Sequence, residues 1–151
     1  MGPERRSLAM MLTGCHSVCV MHHALRLRYR ALVPPVRLIH HPQCSKSREA
    51  FERLTARGLV EGTDLTIVRY LETPLAVDEL LELMSTSDEP PAAFIRPDAD
   101  PAFDAIDRQD ALAVAGLLAE HPASLQRPIV TNGSRTIIAR PPERVEEFLG
   151  E

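Results

Sequence analysis

A nucleophile, basic groups and imidazoles are gathered into one short stretch, His40-His41-Pro42-Gln43-Cys44-Ser45-Lys46-Ser47-Arg48. The apolar run from Val36 to Ile39 reads as a strand, His41-Pro42 as a bend, and the residues after Cys44 as a helix. Cys44 then stands at a helix N-terminus, among unpaired N–H groups and the positive end of the helix dipole. Such a setting lowers the pKa of a thiol and yields a thiolate nucleophile. Lys46 and Arg48 add positive charge, and His40 or His41 can donate to the sulfur or relay its proton. The competing reading is an inert, buried cysteine, but Ser45-Lys46-Ser47-Arg48 is too polar a flank for that. The motif is Cys-x-x-Ser, with Ser47 where a dithiol helix carries its second cysteine. Any disulfide of Cys44 must therefore be made with another molecule or a distant cysteine.

The elements that position this stretch follow in order. With 151 residues the chain is long enough for one proper core. A helix runs from Cys44 to about Arg57, with Ala50, Phe51 and Leu54 on one face and Gly58 at C′. Leu65 to Tyr70 is β-branched and reads as a second strand, which makes a βαβ unit with parallel strands. Thr73 as N-cap and Pro74 at N1 open a helix with Val77, Leu80, Leu81 and Met84 on its apolar stripe. Ala92 to Arg96 is a short piece that delivers Arg96 beside apolar anchors. A helix from about Gln109 to Glu120 is capped by Asp107 or a nearby polar residue and packs through Leu112, Ala115, Leu118 and Ala119. Pro128 to Thr131, Asn132-Gly133, and Ser134 to Ala139 form a hairpin. A last short helix packs Val145, Phe148 and Leu149 inward. The fold class is α/β, with a thioredoxin-like, four-stranded mixed sheet and a helical insertion after the second strand.

Residues 36–150 make this domain, and residues 1–35 read as a disordered extension or the product of a mis-assigned start. Leu12-Thr13-Gly14-Cys15 looks like a lipoprotein cleavage box, but its apolar run is shorter than an exported leader needs. Cys15, His16, Cys19, His22 and His23 have zinc-binding chemistry without the second half of a recognised finger, so no metal is expected. A net charge of −4 gives no reason to expect nucleic acid, and no stretch is long enough to span a membrane. Three cysteines without framework spacing suit a reducing cytoplasm.

Several motifs occur together in order and spacing: His40 to Arg48, Tyr70-Leu71-Glu72-Thr73-Pro74, Phe94-Ile95-Arg96, Arg127-Pro128-Ile129-Val130 and Arg140-Pro141-Pro142-Glu143. Together they resemble the glutaredoxin-coupled arsenate reductase (ArsC) family, in its Cys-Ser-Lys-Ser-Arg branch, over about Val36 to Gly150. The resemblance implies Cys44 as nucleophile and His40 as the histidine that tunes it. It implies Arg96, Arg127 and Arg140 as anion-binding arginines, with Ser47 and Arg48 completing the substrate-binding set, and Pro128 as a cis-proline. It further implies arsenate as substrate, glutathione as co-substrate, glutaredoxin as partner, no tightly bound cofactor and a monomer. Guanidinium pairs suit a tetrahedral oxyanion, which supports the arginine assignment on chemical grounds. Two rival functions use the same domain: a monothiol oxidoreductase acting on glutathione mixed disulfides, and an Spx-like polymerase-binding regulator. The regulator is disfavoured by Ser47, which removes the dithiol switch.

Overall fold

Four of the five positions of β1 (Val36–His40) are buried, because the strand lies inside the sheet and is covered on both faces. That is why an apolar run, rather than strict alternation, encodes it. The computed structural model describes residues 35–150, which fall in one compact unit. The expectations made for the leader-like box, Cys15, Cys19 and the neighbouring histidines lie outside the described residues.

After β1 comes α1 (Ser45–Ala56), which buries Ser47, Ala50 and Leu54 at helical spacing. Gly58 follows it with φ +88°, and its N–H closes the last turn onto the Thr55 carbonyl at 2.9 Å. β2 (Leu65–Arg69) returns parallel to β1, in a register running from Val36↔Leu65 to His40↔Arg69. β3 (Ile129–Thr131) pairs antiparallel with β1, and β4 (Thr136–Ile138) antiparallel with β3. The order β2-β1-β3-β4 is the mixed sheet of a thioredoxin-like fold. α2 (Val77–Ser85) and α3 (Ala111–Glu120) fill the insertion after β2, and α4 (Arg144–Leu149) closes the chain.

The sheet divides two apolar layers. Val36, Leu38, Val130 and Ile137 meet Ala50 and Leu54 of α1 and Val145 and Phe148 of α4. On the opposite side Ile39, Ile129 and Ile138 meet Leu80, Phe94, Phe103, Val114 and Leu118 of the insertion. Phe94 and Phe103 are fully buried, and burying such a side chain contributes about 1.5–3 kcal/mol.

One helix start differs from the sequence expectation, and at another a nearby polar residue takes the cap. Thr73 and Pro74 lie outside α2: the Thr73 N–H is drawn back to the Arg69 carbonyl at 3.0 Å, so the chain is still turning there. The helix begins after Ala76, whose N–H is taken by Glu79 Oε2 at 3.1 Å. α3 is capped by Asp110, which accepts from the Leu112 and Ala113 N–H groups; Asp107 instead closes its own turn onto the Gln109 N–H at 2.9 Å. Starting there, α3 turns Leu112 outward, 63% exposed, and buries Val114 with Ala115 and Leu118.

Candidate active site

All the basic segments singled out in the sequence arrive at one edge of the sheet. β1 and β2 run parallel, so their C-terminal ends deliver His40 to Cys44 and Arg69-Tyr70 to the same edge. β3 is antiparallel and starts there, directly after Arg127-Pro128, and β4 ends there, just before Arg140. Residues 94–96 are brought alongside 124–126 by the Ile95↔Leu125 bridge and by two backbone bonds, Arg96 N–H to Ser124 O at 2.9 Å and Gln126 N–H to Phe94 O at 2.7 Å. The carboxyl ends of strands are where α/β proteins place ligands.

Cys44 is the N-cap of α1, with extended backbone (φ −85°, ψ 121°), and is partly buried. Its N–H donates to the His41 carbonyl at 3.0 Å, which fixes the bend. Burial pushes the thiol up. The backbone N–H groups of Ser47 and Lys46, the Ser47 hydroxyl and the Arg127 guanidinium act against burial, and together they hold the pKa below the ordinary thiol value. Ser47 is fully buried and also accepts the His41 N–H at 3.4 Å, so it supports the sulfur and its loop from inside. Lys46 pairs with Glu49 at 3.3 Å, and the exposed Arg48 donates to the Pro42 carbonyl at 3.4 Å.

Arg127 and Arg96 converge on one acceptor. Arg127 Nη1 donates to Tyr70 Oη at 3.1 Å and to the Ala123 carbonyl at 3.4 Å, while Arg96 Nη1 reaches that carbonyl at 3.3 Å. Arg96 Nη2 is held by Asp98 at 2.5 Å. The buried Nε of Arg127 has no hydrogen-bond partner among the described residues. Arg140 stands one step away, with Nη1 on Gln126 Oε1 at 2.8 Å. The Arg127-Pro128 peptide is cis, and so is Arg140-Pro141.

The two histidines have different places. His40 lies on the face under α1, buried, with its ring 6.2 Å from that of Phe51 and its Nδ1 unpartnered among the described residues. Burial lowers its pKa, against an opposing hydrogen bond to the Ser47 backbone. Its link to the nucleophile therefore runs through the turn of α1. His41 faces the arginines: its ring is edge-on to Tyr70 at 6.5 Å, and burial, Arg127 and Arg96 lower its pKa. Its Nδ1 accepts the Gln43 N–H at 3.1 Å, so Nε2 carries the proton of the neutral ring. A cavity of about 390 Å³ opens beside this loop, with His41, Gln43, Arg69 and Glu72 among its walls.

Cys44, Ser47, Arg96 and Arg127 are thus brought together, Arg140 joins through Gln126, and His40 and Arg48 brace the loop from outside the cluster. Tyr70 and the Ala123 carbonyl were not among the site residues expected from sequence. A hydroxyl directly after a strand parallel to β1 was the available signal for Tyr70, because it must fall at the edge that carries Cys44. No group of three or more metal-ligating side chains occurs among the described residues, and none of their helices is long and apolar enough to cross a membrane.

The fold and the site define a class: a thioredoxin-like sheet with a cysteine at the N-terminus of its first described helix and arginines gathered at the same end. The chain belongs to the ArsC family, whose model matches residues 39–148. It is 31% identical over 121 residues to an arsenate reductase of Neisseria meningitidis, covering 78% of this chain and 100% of that protein. An Escherichia coli arsenate reductase is 32% identical over 117 residues, covering 76% and 80%. Among solved structures, an arsenate reductase from Vibrio cholerae superposes with a TM-score of 0.66 at 30% identity, covering 76% of this chain and 98% of that one.

Proposed function

We propose that this protein reduces arsenate to arsenite through a covalent Cys44 adduct, with glutathione and glutaredoxin as electron donors. The observation that carries the proposal is the placement of Cys44 as the N-cap of α1, at the end of the sheet where Arg127 and Arg96 share the Ala123 carbonyl. The names of the relatives point to the same substrate. In the proposed cycle the Cys44 thiolate attacks arsenic(V) and expels water or hydroxide, forming a sulfur–arsenic bond. Arg127 and Arg96 hold the arsenate oxygens through charge-assisted hydrogen bonds that persist as charge redistributes. Glutathione thiolate then attacks the Cys44 sulfur. The sulfur–arsenic electron pair leaves with arsenic, which becomes trivalent, and a Cys44–glutathione disulfide remains. Glutaredoxin takes the glutathionyl group and returns Cys44 to the thiol. Two thiols give up the two electrons that arsenic gains. Ser47 is no thiol, so the resolving thiol comes from outside the turn. The protein works as a cytoplasmic monomer without a bound cofactor in this proposal.

The test is arsenate-dependent NADPH oxidation coupled through glutathione reductase, glutathione and glutaredoxin, on wild type and Cys44→Ser. Turnover that needs arsenate and glutaredoxin and disappears in the variant supports the proposal. A folded wild type without an arsenate-dependent signal refutes it and leaves monothiol exchange on glutathione mixed disulfides as the function of the thiolate.

A further inference from the structure

Arg127 has five N–H donors, and the protein uses only part of the fork. Both Nη1 protons are taken, by Tyr70 Oη at 3.1 Å and by the Ala123 carbonyl at 3.4 Å. The Nε–H, although buried, is left unpartnered among the described residues. An orphaned charged donor in a buried place is costly unless something else fills it. With Nη1 engaged, the Nε–Nη2 edge is the one left to meet two oxygens of an oxyanion side by side.

We propose that Tyr70 is a positioning residue: its buried hydroxyl, together with the Ala123 carbonyl, locks Nη1 of Arg127 and so turns the Nε–Nη2 edge toward the oxyanion carried on Cys44. The identity of that anion rests on the arsenate proposal above; the locking of the fork does not. Tyr70 is fully buried and follows β2 directly, so its ring is fixed by the core while its hydroxyl reaches the edge of the sheet. Burial raises the Tyr70 pKa, against the pull of Arg127 and Arg96. The phenol therefore stays neutral, and it anchors the guanidinium without cancelling its charge as a carboxylate would. Arg96 shows the contrast: Asp98 occupies its Nη2 directly.

The experiment is a double-mutant cycle over wild type, Tyr70→Phe, Arg127→Ala and the double variant, with two readouts. The first needs no arsenate: the pH profile of Cys44 alkylation, followed on the Cys44 peptide by mass spectrometry because the sequence also carries Cys15 and Cys19. Tyr70→Phe moves the profile to higher pH, as expected if a loosened Arg127 no longer supports the thiolate, and the same substitution has no further effect on the Arg127→Ala background. The second readout is arsenate turnover, where Tyr70→Phe raises KM about tenfold, the fold-change for one hydrogen bond to a charged group, with kcat changed less than about twofold. Phenylalanine keeps the ring in place, so a thermal melt near that of the wild type accompanies these effects. A Tyr70→Phe alkylation profile superimposed on wild type, or a shift that persists in full without Arg127, overturns the proposal even if arsenate turnover is normal. Coupling in the first readout with no arsenate turnover in any variant supports the role of Tyr70 and refutes only the arsenate proposal.

Discussion

Replacing Ser47 by alanine removes one hydroxyl behind the nucleophile and little else. The side chain is fully buried, accepts the His41 N–H at 3.4 Å, and is one of the groups opposing the burial that pushes the Cys44 thiol up. A hydrogen bond to a charged group contributes about 1.5–3 kcal/mol. The lower end applies here because the Ser47 and Lys46 N–H groups remain, and about 1.4 kcal/mol is a tenfold change in the thiolate fraction at a pH below the thiol pKa. A more basic sulfur is also more nucleophilic, with a Brønsted slope of about 0.4–0.5, which restores about threefold. The expected result at low pH is exchange of Cys44 with glutathione disulfide about threefold slower than in wild type. Above the pKa of both proteins the order reverses and the variant is faster by about the same factor. The assay is formation of the glutathionylated Cys44 peptide across a pH series, with a thermal melt to show the fold intact. Profiles that superimpose, or a variant slower at every pH by one constant factor, refute the hydroxyl's part in holding the thiolate.

Other expectations follow from the same geometry. Because the Cys44 pKa is depressed on folding, its contribution to stability is fully present above the ordinary thiol value of 9.0 and is lost as pH falls through the lower, folded value. Wild type should gain stability over Cys44→Ser as pH rises through that window, measured by urea midpoints; a constant difference would contradict the shift. Arg127→Ala should raise the KM for arsenate about tenfold or more, whereas Arg140→Ala, whose partner is Gln126, should raise it less than about threefold. Steady-state kinetics with the order reversed would place the anion nearer β4. In the core, Phe94→Ala should cost about 3–5 kcal/mol, while Leu112→Ala, at a 63% exposed position, should shift the denaturation midpoint little.

The nucleophile's neighbourhood was legible in the sequence because its determinants are local. A strand, a bend and a helix start within eleven residues fix where Cys44 must stand, and Gly58 marks where the helix must stop. The arginines were legible only through the family resemblance; strand directions bring Arg127 and Arg140 to the end that carries Cys44, while Arg96 is placed by the Ile95↔Leu125 bridge of the insertion. What escaped was set by tertiary contacts or by near-equal local choices. Asp107 and Asp110 both have capping chemistry, and the backbone between them decides which one caps α3. That helix is apolar on almost every side (Ala111-Leu112-Ala113-Val114-Ala115-Gly116-Leu117-Leu118), so periodicity alone could not show that Leu112 faces out. Thr73-Pro74 has the form of a helix start but is spent on the turn after β2. Tyr70 looked like one more strand residue, because a strand pattern records burial and says nothing of what a buried hydroxyl meets.

The acceptor shared by Arg96 and Arg127 is a main-chain carbonyl, and its own side chain, Ala123, points to solvent. A change of codon at 123 alters only what the surface shows and leaves the oxygen where it was, provided the Pro122–Ser124 turn survives. A saturation scan should therefore score position 123 as free to vary, although both arginines hang from it. Drift in the gene can rewrite that residue without touching either hydrogen bond, whereas at 96 and 127 the side chain itself is the donor.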